Sequence, residues 1–166
     1  DIDTASNTGA TVSSLFSSYF SDIDTGETLA GIAISDDTSD SSQGFWEYST
    51  DDTTWHDVDS VSSSSALLLD ADSSLRFNPA ADYNGTPGIL GVHAVDSSNG
   101  SLVFTSGATR AAYDVSSADD TSEVSATGLR LSTTVNAVND DPEAAIDVNG
   151  GSAIAEASTF SLDGSG

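Results

Sequence analysis

Aspartates at alternate positions carry the most chemistry in this chain. The run Asp22-Ile23-Asp24-Thr25-Gly26-Glu27 sets two carboxylates on one side of an extended backbone. Gly26 permits the turn that brings Glu27 round to them. A second oxygen-rich group, Asn139-Asp140-Asp141-Pro142, follows the last alternating run. Calcium takes six to eight oxygens at about 2.3–2.6 Å from carboxylates, amide carbonyls and backbone. Together the two segments supply that many, so Asp22, Asp24, Glu27, Asn139 and Asp140 are candidate calcium ligands. The competing reading has Asp22, Asp24 and Asp140 simply capping turns.

A third group lies in the polar stretch between Asp96 and Thr127. Loops longer than about 12–15 residues are usually functional or disordered. Asp96, Asp114, Asp119 and Asp120 are the metal candidates there. Arg110 could hold a ligand carboxylate in a two-pronged grip, with Asn99, Tyr113 and Asp114 completing a binding site. Alternatively, Arg110 forms a salt bridge to Asp114 or Asp120. Asp70 with Asp72 has calcium spacing but only two donors, and the pairs Asp36-Asp37 and Asp51-Asp52 read as solvated turn tips.

The rest of the composition bears on the same point. Twenty-seven acidic residues face three basic ones, for a formal net charge of -24 over 166 residues. Two carboxylates 4 Å apart repel by about 4 kcal/mol at an effective dielectric near 20, so clustered acids call for a cation. Nucleic acid and anionic membrane surfaces are implausible partners for so acidic a chain. There is no cysteine, which excludes disulfides and thiol chemistry. No apolar run is long enough to span a bilayer. His56 and His93 are the only histidines, and no serine sits in a nucleophile elbow. The expectation is therefore a protein that is not an enzyme.

The elements that must position these residues read as strands. Trp46 and Tyr48 alternate with Phe45 and Glu47, Leu75 and Phe77 flank Arg76, and Val92 and Ala94 alternate with His93 and Val95. Residues 129–137 alternate most regularly, with Leu129, Leu131, Thr133, Val135 and Ala137 on one face. Residues 45–58 read as a hairpin with Asp51, Asp52 and Thr53 at its tip. Trp46, Tyr48 and Trp55 are expected in the core. Leu15, Phe16, Tyr19 and Phe20 suit one helical turn on a sheet edge. Asp82-Tyr83-Asn84-Gly85 reads as a capped turn, with Tyr83 packed and Gly85 at positive φ. These patterns predict an all-β fold, an antiparallel β-sandwich of cadherin-like or immunoglobulin-like type stabilised by calcium. Residues 1–142 form the module. Residues 143–166 begin a following module or a tail that packs on the sandwich.

The Asp22 to Glu27 run, Val138-Asn139-Asp140-Asp141-Pro142 and the strand count resemble cadherin-type repeats. The string Gly44-Phe45-Trp46-Glu47-Tyr48-Ser49-Thr50-Asp51, then Trp55, Ala66-Leu67-Leu68-Leu69, Leu75-Arg76-Phe77-Asn78-Pro79 and Asp82-Tyr83-Asn84-Gly85, is similar to repeated domains of giant bacterial repeats-in-toxin (RTX) adhesins. The resemblance spans about residues 10–142. It implies a secreted, cell-surface sandwich that binds several Ca2+ ions, lies between neighbouring adhesin modules and serves cell adhesion. Within that family some modules bind a peptide or protein on another cell surface and others are rigid spacers. The long 96–125 stretch favours the calcium-dependent ligand-binding kind, with an extender or a calcium-dependent lectin as the alternatives.

Overall fold

The computed structural model describes residues 7–21, 26–98, 100–119 and 121–137. Nine strands and one short helix follow in chain order: β1 (Ala10–Thr11), α1 (Val12–Phe16), β2 (Leu29–Asp37), β3 (Gly44–Ser49), β4 (His56–Asp57), β5 (Ala66–Asp70), β6 (Ser74–Pro79), β7 (Leu90–Asp96), β8 (Ala112–Tyr113) and β9 (Leu129–Leu131). They form two sheets, ordered β1-β6-β3-β4 and β8-β5-β2-β7-β9. Every pairing between named strands is antiparallel. The all-β, two-sheet architecture agrees with the alternating patterns. The proposed division at residue 142 and the 143–166 segment lie outside the described residues.

Alternation explains the main core. Trp46 and Tyr48 of β3 and Leu75 and Phe77 of β6 point inward from the four-stranded sheet. Ile32, Ile34, Leu67, Leu69, Leu90 and Val92 meet them from the five-stranded sheet. The Trp46 and Phe77 rings meet edge to face at 5.3 Å, and Trp46 donates its indole N–H to the Gly88 carbonyl at 2.9 Å. The expected hairpin is present, with Glu47 opposite Asp57 and Tyr48 opposite His56.

The five-stranded sheet is buried on its other face as well. Ala33, Ala66, Leu68 and Val95 form a second core with Val115 and Val124, and Leu102, Phe104, Ala111 and Tyr113 pack on it. This corrects the picture of a polar loop between residues 96 and 125. The segment is a strap over the sheet. It bonds to the β5 edge through Thr105 N–H to Leu68 O (3.0 Å), Leu68 N–H to Ala111 O (3.0 Å) and the pairing of Tyr113 with Ala66. It then returns to β7, where Asp96 N–H donates to Glu123 O at 2.9 Å and Ser125 N–H to Ala94 O at 2.9 Å. At Gly31 an added Cβ would lie 2.6 Å from the Phe104 ring and 2.2 Å from the Leu69 carbonyl. Only glycine admits the strap that close to β2.

Three further expectations are corrected. Trp55 is not in the core. It is half-buried on the outer face of the four-stranded sheet, under the Arg76 guanidinium, whose carbon lies 4.0 Å from the ring centre. Residues 129–137 do not form one long strand. β9 ends at Leu131, opposite Leu90, because its partner β7 begins there, and the chain then bridges to Gly85 through Val135. Leu129, Leu131 and Val135 still pack on the main core, as their alternation predicts. Finally, the helix starts at Val12, capped by the Thr11 hydroxyl, and gives way to a 3-10 turn at Ser17–Tyr19. Phe16 is buried, whereas Tyr19 is 70% exposed.

Candidate functional site

Strand register places the sequence-derived candidates. Leu29 at the start of β2 is opposite Asp96 at the end of β7. Glu27 and the Asp96-Ser97-Ser98 turn therefore share one end of the sandwich. The Ser97 hydroxyl donates to Glu27 Oε2 at 2.6 Å, and Thr28 N–H donates to Ser97 Oγ at 3.1 Å. The Asp96 carboxylate accepts from Ser98 N–H at 2.8 Å and from the Ser98 hydroxyl. Two acidic segments expected at separate sites thus meet. Asp22 and Asp24, which precede Glu27 in sequence, lie outside the described residues, as do Asn139 and Asp140. Val135, near the latter pair in sequence, bridges Gly85 at the opposite end, where β7 begins.

Farther along the strap, Asp114 and Asp119 each bond within their own turns. Asp114 accepts from Ser116 N–H at 2.9 Å and from the Ser116 hydroxyl at 2.5 Å. Asp119 accepts from Thr121 N–H at 2.9 Å, from the Thr121 hydroxyl at 2.7 Å and from the Ser122 hydroxyl at 3.1 Å. Each carboxylate closes its own turn, as aspartate does when its side chain bonds backbone two residues on. The Ser116 and Thr121 hydroxyls first, and the N–H groups of the same residues after them, hold the Asp114 and Asp119 carboxyls below the usual carboxylate range. The Asp70 carboxylate closes the turn between β5 and β6, accepting from Ser73 N–H and from the Ser73 hydroxyl at 2.8 Å each. Asp120 and Asn99 lie outside the described residues. Among the described residues, no group of three His, Asp or Glu side chains is arranged to hold a metal.

Arg110 and Tyr113 do not form a cradle with Asp114. Tyr113 packs in the second core. Arg110 is exposed and turns toward the β3–β4 hairpin, where Nη1 donates to the Asp57 carbonyl at 3.4 Å. It also lies beside the Tyr48 phenol, which burial pushes up in pKa against the pull of that charge. The Tyr48 hydroxyl donates to Gly107 O at 3.1 Å, and Gly107 N–H donates to Thr50 Oγ1 at 3.0 Å. This part of the strap therefore fastens the two sheets together. The salt bridge from Arg110 to Asp114 is absent.

A polar network that the sequence patterns did not single out occupies the outer face of the four-stranded sheet. Arg76 Nε donates to Glu47 Oε2 at 2.6 Å, and Nη1 donates to the Asn7 carbonyl at 3.2 Å. Asn78 Nδ2 donates to the second Glu47 oxygen at 3.2 Å. The signal was available in principle. Glu47 and Arg76 each alternate with inward apolar residues, so strand pairing sets them side by side. A scan against family models and searches of curated proteins and of solved structures found no match to this chain.

Proposed function

We propose that this chain is a non-catalytic structural module of a secreted bacterial surface adhesin, an extender stabilised by calcium. The strap carries the reading. The one long segment that a ligand-binding role would have used supplies the apolar cover of the five-stranded sheet, and its Asp114 and Asp119 carboxylates are engaged in their own turns. A folded unit of this kind resists deformation and offers its neighbours a fixed spacing.

Calcium is assigned to the end that holds Glu27 and Asp96. The donors described there, two carboxylates and the Ser97 hydroxyl, are all oxygen, the chemistry that calcium takes. Asp24 precedes Glu27 by three residues in sequence. Bound there, calcium would supply positive charge between segments that otherwise repel. Isothermal titration tests the assignment. Asp24→Asn and Asp96→Asn should each weaken calcium binding by about tenfold, the scale of one charged contact. Asp114→Asn, in a self-contained turn, should leave it unchanged. Absence of calcium binding, or an equal loss in Asp114→Asn, would refute the site.

A further inference from the structure

We propose that the cleft on the outer face of the four-stranded sheet, walled by Trp55, Arg76 and Asp52, binds a neutral saccharide. The proposal is independent of the calcium site, which lies elsewhere. The cleft has a volume of about 500 Å³ and is bounded by the N-terminal segment, the β3–β4 hairpin tip and β6. Its walls combine a flat aromatic surface, donors and acceptors. A pyranose ring recognises that combination. Its C–H face would pack on the indole face opposite the one that Arg76 covers, and its hydroxyls each donate and accept.

The groups are held in place before any ligand arrives. Arg76 is fixed by Glu47 and the Asn7 carbonyl and stacks on Trp55, leaving its side chain 24% exposed. The Asn7 side chain is oriented at both ends, donating to the Phe77 carbonyl at 2.9 Å and accepting from Gly9 N–H at 3.1 Å. Gly9, at φ +72°, lets the chain pass the indole. A Cβ there would lie 2.7 Å from the Trp55 ring and 2.7 Å from the Leu75 carbonyl. Asp52 holds φ +57°, a left-handed turn conformation that aspartate tolerates. It accepts from the Ser74 hydroxyl at 2.6 Å through Oδ1.

Charge selects the ligand class. An anionic sugar would meet the Asp52 carboxylate on a chain of net charge -24, and a cation would meet the Arg76 guanidinium. A neutral polyol suffers neither repulsion, and it can donate to Asp52 while accepting from Arg76.

The two tryptophans make the test direct, since Trp46 is buried and reports folding while Trp55 reports the cleft. Maltohexaose, cellohexaose, mannohexaose and chitohexaose would each be titrated into 15N-labelled protein in calcium buffer. At least one should shift the Trp55 indole N–H saturably, with a dissociation constant on the order of 1 mM, and leave the Trp46 signal in place. Asp52→Asn keeps a side chain that tolerates positive φ and should weaken binding by about tenfold through loss of a charged hydrogen bond. Hexagalacturonate, an anionic control, should not bind. The proposal fails if none of the four neutral sugars moves Trp55 at about 10 mM, well above a millimolar constant. It also fails if Asp52→Asn binds as well as the parent, or if hexagalacturonate binds as tightly as the neutral sugars.

Discussion

Asp51 gathers donors from Thr53 N–H, Thr54 N–H, the Thr54 hydroxyl and the Ser49 hydroxyl onto one carboxylate. The Thr54 N–H contributes most, followed by the Thr53 N–H, and together these bonds hold the carboxyl well below the usual carboxylate range. Asp40, Asp114 and Asp119 are lowered in the same way, with the Ser42, Ser116 and Thr121 hydroxyls as the respective leading causes. The sign of the pH effect follows. A carboxyl whose folded pKa is depressed stabilises the fold fully above its unfolded value of about 4 and loses that contribution as pH falls toward the folded value. Thermal melts should therefore show stability falling on acidification below about pH 4. Asp51→Ala should lower the melting temperature at pH 7 and flatten that acid limb, since the neutral side chain neither titrates nor closes the turn. A different kind of residue effect is expected at Arg76. Its removal leaves Glu47, only 9% exposed, without its cationic partner. Because the pair is only partly buried, Arg76→Leu should cost about 1–3 kcal/mol in urea unfolding, less than for a fully buried pair. Glu47→Gln with Arg76→Leu should cost little more than the single change, which a double-mutant cycle would detect.

At the scale of elements, the strap converts an ordinary two-layer sandwich into a three-layer one. Leu68 and Leu69 are neighbours on β5 that face opposite ways, Leu69 into the main core and Leu68 under the strap. They are 2% and 0% exposed respectively. Leu68→Ala should therefore destabilise by about 2–5 kcal/mol, the same range as Leu69→Ala. If the strap were a loosely held loop, Leu68→Ala would be nearly neutral in the same denaturant titration. Deletion of residues 97–124 should abolish cooperative unfolding, because it uncovers the whole second core. That strap was legible only indirectly. Its own apolar residues alternate only in two short runs, Leu102 with Phe104 and Ala111 with Tyr113 and Val115, while Val124 stands alone and most of the backbone between them is irregular. The legible sign lay in its partners. Ile32-Ala33-Ile34 and Leu67-Leu68-Leu69 are continuous apolar runs, and an antiparallel sheet with one wet face would have alternated instead. By contrast, Trp46, Tyr48, Leu75 and Phe77 sit in strands with one polar face, so their alternation predicted both strand and core. Trp55 was misplaced because it belongs to the hairpin's return after β3, where the strand period no longer applies.

Across the whole molecule, the acids outnumber the cations that could neutralise them. Among the described residues the one ion pair within 4 Å is Arg76 with Glu47. With a formal charge of -24, self-repulsion opposes the compact state. Two remedies are physically distinct. Monovalent salt screens all charges alike, and the Debye length falls from about 10 Å at 0.1 M to about 3 Å at 1 M. In EDTA, the melting temperature should accordingly rise gradually with added sodium chloride, without saturating at a stoichiometric point. A calcium site acts by mass action instead. At a free concentration of about 100 times its dissociation constant, one site that binds only the folded state adds about 2.7 kcal/mol. For a chain of this length that corresponds to roughly 5–10 °C. Calcium added at constant ionic strength should thus give a saturable rise beyond anything sodium chloride produces. Magnesium, smaller and slower to shed its water, should give much less. If calcium and magnesium raise the melting temperature equally at matched ionic strength, the divalent effect is screening, and the acids at the Glu27–Asp96 end hold no dedicated ion.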